Sequence, residues 1–284
     1  MSKNKSLSIV LFAYSLCFIT FIFVLKKINY GIFYDILIVD VIATVIIYFF
    51  SFYFKNSSIY DPYWSVIPPI ILFYFIYIVN EINFQAYLLL FSVFFWGLRL
   101  TFNWMRSWPG MHHEDWRYID MRKSSGKYFQ FSNFFGIHLF PTLIVFACCI
   151  PMYDALNKQI DVFTYFGFSL CFIGVLYEII SDQQLYNFKK NNTGIINSGL
   201  WKYSRHPNYY GEILFWWGIY FYGVSSGTVF NWIFAPIAMT IMFLYVSIPW
   251  IENKIIKTRP KYLEYKNKVS VLSPEFAYIK SLFK

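Results

Sequence analysis

Apolar residues in this chain are gathered into long windows that recur from near the first residue to residue 251. Eight windows reach or approach the roughly 17 to 25 residues that a helix needs to cross a bilayer core. They are Leu7–Leu25, Ile36–Phe54, Tyr63–Val79, Phe84–Trp104, Phe131–Tyr153, Val162–Ser181, a shorter one at Ile213–Val224, and Val229–Ile251. The pattern predicts an all-α, polytopic integral membrane protein with seven or eight transmembrane helices.

Composition supports the same class. Of the 284 residues, 58% are apolar and only 14% are charged, whereas an average soluble domain carries about 25% charged residues. A water-soluble globular protein is therefore excluded. The first window is long, lacks an A-x-A cleavage site and is followed by Lys26 and Lys27, so we expect a retained helix rather than a signal peptide. With no repeat or linker in the sequence, we predict a single transmembrane domain over residues 1–284.

The net charge of +9 is distributed unevenly between the connections. Lys and Arg concentrate at both ends and in the two longest loops, Met105–Gln130 and Asp182–Glu212, while Lys26, Lys27 and Lys158 lie on the other side. The positive-inside rule then predicts cytoplasmic termini and cytoplasmic long loops. The basic segment after the last window favours anionic lipid headgroups over nucleic acid as its partner. The membrane would be the endoplasmic reticulum in a eukaryote or the inner membrane in a bacterium.

Ionisable residues inside apolar windows are costly and mark candidate sites by default. Asp40, Arg99 and Glu178 are of this kind, and Asp40 is also explained by a polar contact between helices. The four cysteines lie in apolar windows without a C-x-x-C pair, and His112 and His113 have no second ligand cluster. We therefore predict neither a disulfide framework nor a metal site.

The loop that ends at Glu212 carries the densest polar chemistry. Arg205 and His206 offer donors suited to phosphate, and Asn208 and Glu212 offer amide and carboxylate contacts. Aromatic faces for a flat heterocycle come from Trp201, Tyr203 and Tyr209. No G-x-G-x-x-G or Walker-type loop follows a strand pattern, so a bound nucleotide would be held by helices.

Several separated motifs resemble one family. The segment Gly199–Glu212, with Ser204-Arg205-His206-Pro207-Asn208-Tyr209 at its centre, resembles the signature of membrane steroid 5-alpha reductases, sterol reductases and a related uncharacterised membrane family. That last family is also resembled by Trp96–Leu100, Glu114–Tyr118, Ser181–Leu185 and the ending Tyr262–Tyr265 with Ser273-Pro274. The resemblance covers residues 61–274, with a cofactor-binding C-terminal half at 178–274.

The resemblance implies a helical membrane reductase that holds NADPH in a pocket between its C-terminal helices on the cytoplasmic side. Hydride would pass to an activated C=C bond of a lipid-like substrate such as a steroid, sterol, polyprenoid or fatty enone. The implied cofactor contacts are Asp182 towards the nucleoside, Arg205 and His206 near the phosphates, Asn208 and Glu212 at the nicotinamide, and Gln183, Tyr203, Tyr209 and Glu252 nearby.

The chain differs from the steroid 5-alpha reductases in the acidic residues that face the substrate. Their Gln-Glu pair has no obvious match, and Asp61-Pro62-Tyr63-Trp64 stands at a comparable place. From residue type and depth, we hypothesise that Tyr118 or Glu114 is the proton donor, followed by Asp61.

Two alternatives stay open. The Arg-His-Pro core also resembles the loop of membrane methyltransferases that act on isoprenylcysteine or phospholipid and bind S-adenosylmethionine. Lys189, Lys190 and Lys202 favour a dinucleotide over that cofactor. The second alternative is a lipid-binding membrane protein without catalysis. The oligomeric state and the identity of the substrate are not determined by the sequence.

Overall fold

A computed structural model describes residues 1–80, 82–224 and 231–272. Val229, at the start of the last predicted window, lies outside the described residues. So do Ser273 and Pro274, which belong to the motifs that carry the resemblance, and the last two basic residues of the tail, Lys280 and Lys284.

The regular structure of the described residues is helical, apart from an isolated parallel bridge between Ser204 and Ser270. The α-helices are α1 (Lys3–Leu25), α2 (Ile32–Phe54), α3 (Tyr63–Val79), α4 (Phe84–Ser107), α5 (Trp116–Ser125), α6 (Phe129–Ser132), α7 (Phe140–Leu156), α8 (Val162–Asn191), α9 (Pro207–Gly223), α10 (Phe234–Met242), α11 (Ile248–Thr258) and α12 (Tyr262–Lys268). Short 3₁₀ turns occur at Ser57–Ile59, Gly126–Tyr128 and Gly199–Lys202, and π-helical segments at Asn133–Leu139 and Phe243–Ser247.

Seven helical stretches in the described part of the chain are long and apolar enough to cross a membrane. They are Lys3–Leu25, Ile32–Phe54, Ser57–Val79, Phe84–Ser107, Trp116–Leu156, Val162–Asn191 and Phe234–Thr258. The predicted all-α polytopic class is thereby confirmed. The shorter eighth window falls in α9, which has 17 residues and buries ten of them, so little of this helix is available to face lipid.

The chain forms two compact units, Met1–Tyr153 and Asp154–Lys284, and the boundary lies inside α7. A boundary within a helix leaves no linker composition for the sequence to display, which explains why no division was predicted. The two units are described separately below.

In the first unit, helix pairs α1–α2 and α3–α4 pack around apolar side chains. A π-helical segment adds a buried polar layer against α2: His138 Nε2 lies 3.0 Å from Ser51 Oγ, and Asn133 Oδ1 accepts from Ser57 Oγ at 2.9 Å. His138 Nδ1 lies 3.0 Å from Asn133 O and must donate to it, since a carbonyl only accepts. This layer holds the 3₁₀ turn at Ser57–Ile59, which precedes one of the candidate sites.

In the second unit, α8 and α9 form the main helix pair. Helix α8 begins with a capping box in which Asp161 accepts from Thr164 N at 3.0 Å. Glycines let the two backbones approach: an added Cβ at Gly174 would lie 2.6 Å from Gly211 O. Gly167, seven residues before Gly174, and Gly218, seven residues after Gly211, make the same kind of contact. Small residues at such spacings are typical of closely packed membrane helices.

Replacing Gly174 with Ala should therefore destabilise the protein. The new Cβ would also lie 2.9 Å from Phe215 N, and backbone atoms cannot move aside without separating the helices. Overpacking costs about 1 to 3 kcal/mol, and the better helix propensity of Ala returns at most about 1 kcal/mol. We expect a lower free energy of unfolding in detergent. Gly194→Ala is the control, because its Cβ would meet nothing within 4 Å. Equal stability of Gly174→Ala and parent would contradict the close packing.

Candidate functional site

A buried carboxylate, Glu252, gathers four polar side chains in the second unit. Its side chain is only 2% exposed. Oε1 accepts hydrogen bonds from Arg205 Nε at 2.7 Å, His206 Nε2 at 3.2 Å and Tyr262 OH at 3.2 Å. Oε2 lies 2.7 Å from Lys266 Nζ. These five residues are named the Glu252 cluster. Because both oxygens have cationic or polar donors, the cost of burying the charge is offset within the protein.

The cluster joins three segments of the second unit: the residues before α9, helix α11 and helix α12. Arg205 Nη1 donates to the backbone oxygens of Lys266 at 2.6 Å and Val269 at 2.9 Å. Tyr265 OH donates to Trp201 O. Helix α12 has only seven residues, too few to be stable alone. Its position therefore depends on these contacts.

This geometry bears on the predicted phosphate contacts. Two of the three guanidinium nitrogens of Arg205, Nε and Nη1, hold Glu252 and two carbonyls, so the donors beyond these contacts are those on Nη2. Burial lowers the pKa of His206 and outweighs the opposing effect of Glu252. The lower pKa favours the neutral ring, and a neutral ring that donates from Nε2 to Glu252 has its lone pair on Nδ1. Arg205 and His206 therefore both have a structural role, because they hold Glu252 in the cluster.

Asp182 and Asn208, predicted from two separate motifs, lie side by side. Asn208 Nδ2 donates to Asp182 Oδ1 at 3.4 Å, joining α8 to the first turn of α9. Both side chains are partly exposed, and the neighbouring Gln183 is exposed. The structure thus places an amide and a carboxylate together at an accessible point of the second unit, while the Gln183 amide donates to Asn187 Oδ1 at 2.8 Å.

The remaining candidates of this unit lie nearby in the chain. Tyr203 is 51% exposed, and the ring of Tyr209 stacks on His206 with centroids 5.6 Å apart. Glu212 is buried one turn after Asn208, and its Oε1 accepts from Trp216 Nε1 at 2.9 Å. Tyr203 is the most accessible of these three.

In the first unit, Tyr118 OH donates a hydrogen bond to Asp61 Oδ1. Tyr118 lies on α5 and is 7% exposed, while Asp61 lies just before α3. Of the three residues that the sequence nominated as acids, Tyr118 is the one seen donating a proton in a hydrogen bond. Its buried phenol and the partly exposed Asp61 carboxylate form a donor and acceptor pair.

The two acids beside Tyr118 have arginine partners. Asp115 accepts from Arg117 Nε at 2.8 Å and Nη2 at 3.2 Å, and although burial raises the pKa of Asp115, Arg117 lowers it further, so the net pKa lies below its usual value. Glu114 accepts from Arg122 Nη2 at 3.0 Å and from Ser57 N at 2.9 Å. Both carboxylates act as acceptors that fix the loop, so Glu114 is a weaker candidate for a proton donor than Tyr118.

Some contributors were missed from the sequence. Tyr262 and Lys266 of the Glu252 cluster were given no role, although Tyr262, Tyr265 and Lys266 share one side of a short helix, a spacing that suggests a common contact.

In the first unit, Tyr63 OH donates to Asp40 Oδ1 at 2.7 Å, which agrees with the interpretation of Asp40 as a polar contact between helices. This pair opens on a small crevice lined by Asp40, Tyr60, Tyr63, Trp64, Ile67, Thr142 and Val145.

Comparison with known proteins adds a family and a distant relative. The model of a family described as "Protein of unknown function (DUF1295)" matches residues 47–269. "Uncharacterized protein C594.04c" of Schizosaccharomyces pombe is 26% identical over 257 residues, covering 79% of this chain and 74% of that protein. No solved structure matches.

The Glu252 cluster should be a main source of stability in the second unit. Glu252→Gln keeps the shape but removes the charge that faces Arg205 and Lys266. Breaking a buried pair costs about 3 to 5 kcal/mol, and since the Lys266 side chain is 37% exposed and screened, we expect about 3 kcal/mol. Chemical unfolding in detergent measures the loss. The control Glu264→Gln, at an exposed position of α12, should change stability by less than about 0.5 kcal/mol. If Glu252→Gln and Glu264→Gln have the same free energy of unfolding, Glu252 does not have the proposed structural role.

Proposed function

This chain belongs to the family described as "Protein of unknown function (DUF1295)", and from that premise we propose that it is an NADPH-dependent membrane reductase. The reaction is the transfer of a hydride to an activated C=C bond of a lipid-like substrate, such as a steroid, sterol, polyprenoid or fatty enone. The resemblance of the segment around Ser204–Tyr209 to steroid 5-alpha reductases and sterol reductases motivates the class of reaction.

The observation that carries the proposal is the hydrogen bond between Tyr118 and Asp61. Saturating a polarised double bond needs a hydride at one carbon and a proton at the neighbouring carbon or the conjugated oxygen. A buried phenol that already donates to a carboxylate is a suitable proton source, because the carboxylate orients it and can return a proton after each turnover. In this proposal Tyr118 is the acid, and Asp61 orients the phenol and relays the proton that restores it.

The residues of the second unit suit a dinucleotide. Asp182 and Asn208 provide an acceptor and donors for the hydroxyl groups of a nucleoside. Lys266 uses one contact on Glu252 and has two further ammonium hydrogens at a partly exposed site, so it can also meet a phosphate. We add Lys266 to the predicted cofactor contacts on this ground.

Each group of residues has its own role in the proposed reaction. When bound, NADPH supplies the hydride. In the second unit, Asp182, Asn208 and Lys266 would hold the cofactor, and the Glu252 cluster keeps the segment before α9 in place. In the first unit, Tyr118 would donate a proton to the substrate. The resulting tyrosinate is reprotonated from solvent through Asp61. The balance is one hydride and one proton added across one C=C bond, which gives a saturated product and NADP⁺.

Orientation and membrane belong to the same proposal. The Lys and Arg distribution supports cytoplasmic termini and a cofactor that enters from the cytoplasm. The membrane is the endoplasmic reticulum in a eukaryotic cell or the inner membrane in a bacterial one.

Cofactor binding is the first test. The purified protein in mild detergent should gain about 2.7 kcal/mol in stability with NADPH at a hundredfold excess over its dissociation constant. Asn208→Ala should lose most of this gain, whereas Asn253→Ala, an exposed asparagine on α11, should keep it. Arg205→Ala is unsuitable, because it would also break the Glu252 cluster.

Other ligands separate the alternatives. Stabilisation by S-adenosylmethionine and not by NADPH would replace the reductase proposal with the methyltransferase one. A folded protein that responds to neither would favour a lipid-binding function. A preference for NADH would change the cofactor but not the class of reaction.

Proton donation is tested by turnover on a panel of lipid enones, followed by NADPH oxidation. Tyr118→Phe should lower kcat by about 10² to 10⁴, the usual contribution of a general acid. Tyr128→Phe is the matched control, since Tyr128 is 66% exposed in the neighbouring 3₁₀ turn. If Tyr118→Phe keeps full turnover, Tyr118 is not the acid, and Glu114 becomes the next candidate.

A further inference from the structure

A rigid, strongly basic surface lies around α12 in the second unit. Its residues are Lys202, Tyr203, Arg259, Lys261, Leu263 and Lys268, all of them exposed. They are named the C-terminal basic surface. Four of the six are cations, and the acid described among them in the chain is Glu264. We propose that this surface binds the headgroups of anionic phospholipids in the bilayer that the chain spans.

The first support is location. The candidate membrane span Phe234–Thr258 ends one residue before Arg259, so the surface begins where a helix leaves the membrane. Lys202 and Tyr203 belong to the same region, because Tyr265 of α12 hydrogen-bonds the backbone oxygen of Trp201. Attraction between basic side chains and anionic lipids acts within about one Debye length, which suits groups placed directly at the end of a span.

The second support is the mixture of apolar and basic side chains. Leu263 is 47% exposed and Tyr203 is 51% exposed, and the Lys202 ammonium lies 5.6 Å from the centroid of the Tyr203 ring. An exposed leucine contributes nothing to the binding of a soluble anion such as phosphate or of a nucleic-acid backbone. A bilayer interface accommodates both, since aromatic and aliphatic groups enter the boundary region while the cations meet the headgroups.

The third support is rigidity. Tyr262 and Tyr265 are buried on one side of α12, and Glu252 and Arg205 hold the helix through the hydrogen bonds described above. The exposed residues are therefore displayed on an anchored helix instead of a loose tail. A preformed surface binds its partner with a smaller loss of conformational entropy.

The test is binding of fluorescent phosphatidylglycerol and phosphatidylcholine to the full chain in micelles of neutral detergent. The parent should prefer phosphatidylglycerol. Each cation contributes about fivefold, so Lys261→Gln with Lys268→Gln should weaken phosphatidylglycerol binding about twenty-fivefold. The matched control is Lys26→Gln with Lys27→Gln, which removes the same charge from exposed positions after α1 and should change binding less than twofold. Leu263→Ser should weaken binding of phosphatidylglycerol without changing the charge.

Each other outcome overturns the proposal. Equal affinity for the two lipids, or equal weakening by the two double variants, would mean that the surface has no special role. Competition by 10 mM inorganic phosphate or by a short DNA duplex, with loss of that binding in Lys261→Gln with Lys268→Gln, would assign the surface to a soluble anion or to nucleic acid. The assay needs no turnover, so its result is independent of the proposed reductase activity.

Discussion

Burial of the Glu252 carboxylate is the constraint on which the second unit depends. A charge removed from water must find its partners inside the protein, and in a chain with 14% charged residues such partners are few. Glu252 finds them before α9 and on α12, at Arg205, His206, Tyr262 and Lys266. The pairing places a seven-residue helix and the loop before α9 with a precision that apolar packing alone does not provide.

Because of this pairing, the residues of the Ser204–Tyr209 motif have two different roles. Arg205 and His206 turn inward, where they satisfy Glu252 and backbone carbonyls. Asn208, one turn into α9, reaches Asp182 at a partly exposed position. Within this motif Arg205 and His206 are therefore structural, whereas Asn208 is accessible to a ligand. Glycine contacts between α8 and α9 keep the two helices that carry Asp182 and Asn208 close together.

Carboxylates of the first unit are also paired with donors inside the protein, but the donors are of two kinds. Glu114 and Asp115 are each paired with an arginine, and both fix the loop that carries α5. Asp61 instead accepts from the phenol of Tyr118. A carboxylate whose hydrogen-bond partner can itself give up a proton is suited to chemistry, whereas a carboxylate in an arginine pair is suited to structure. This difference in partners is why Tyr118 and Asp61 carry the proposed proton transfer.

The sequence by itself determined the class of the protein, because a membrane span is recorded locally as a run of apolar residues, and seven of the predicted windows correspond to helices of sufficient length. It also nominated Arg205, His206 and Asn208, because polar groups beside spans are few, and the family resemblance added Glu252. It did not reveal that Glu252 pairs with Arg205 across 47 positions, or that Tyr118 meets Asp61 across 57. Such partners are chosen by packing between distant segments, and only the tertiary structure decides which buried charge is neutralised by which donor.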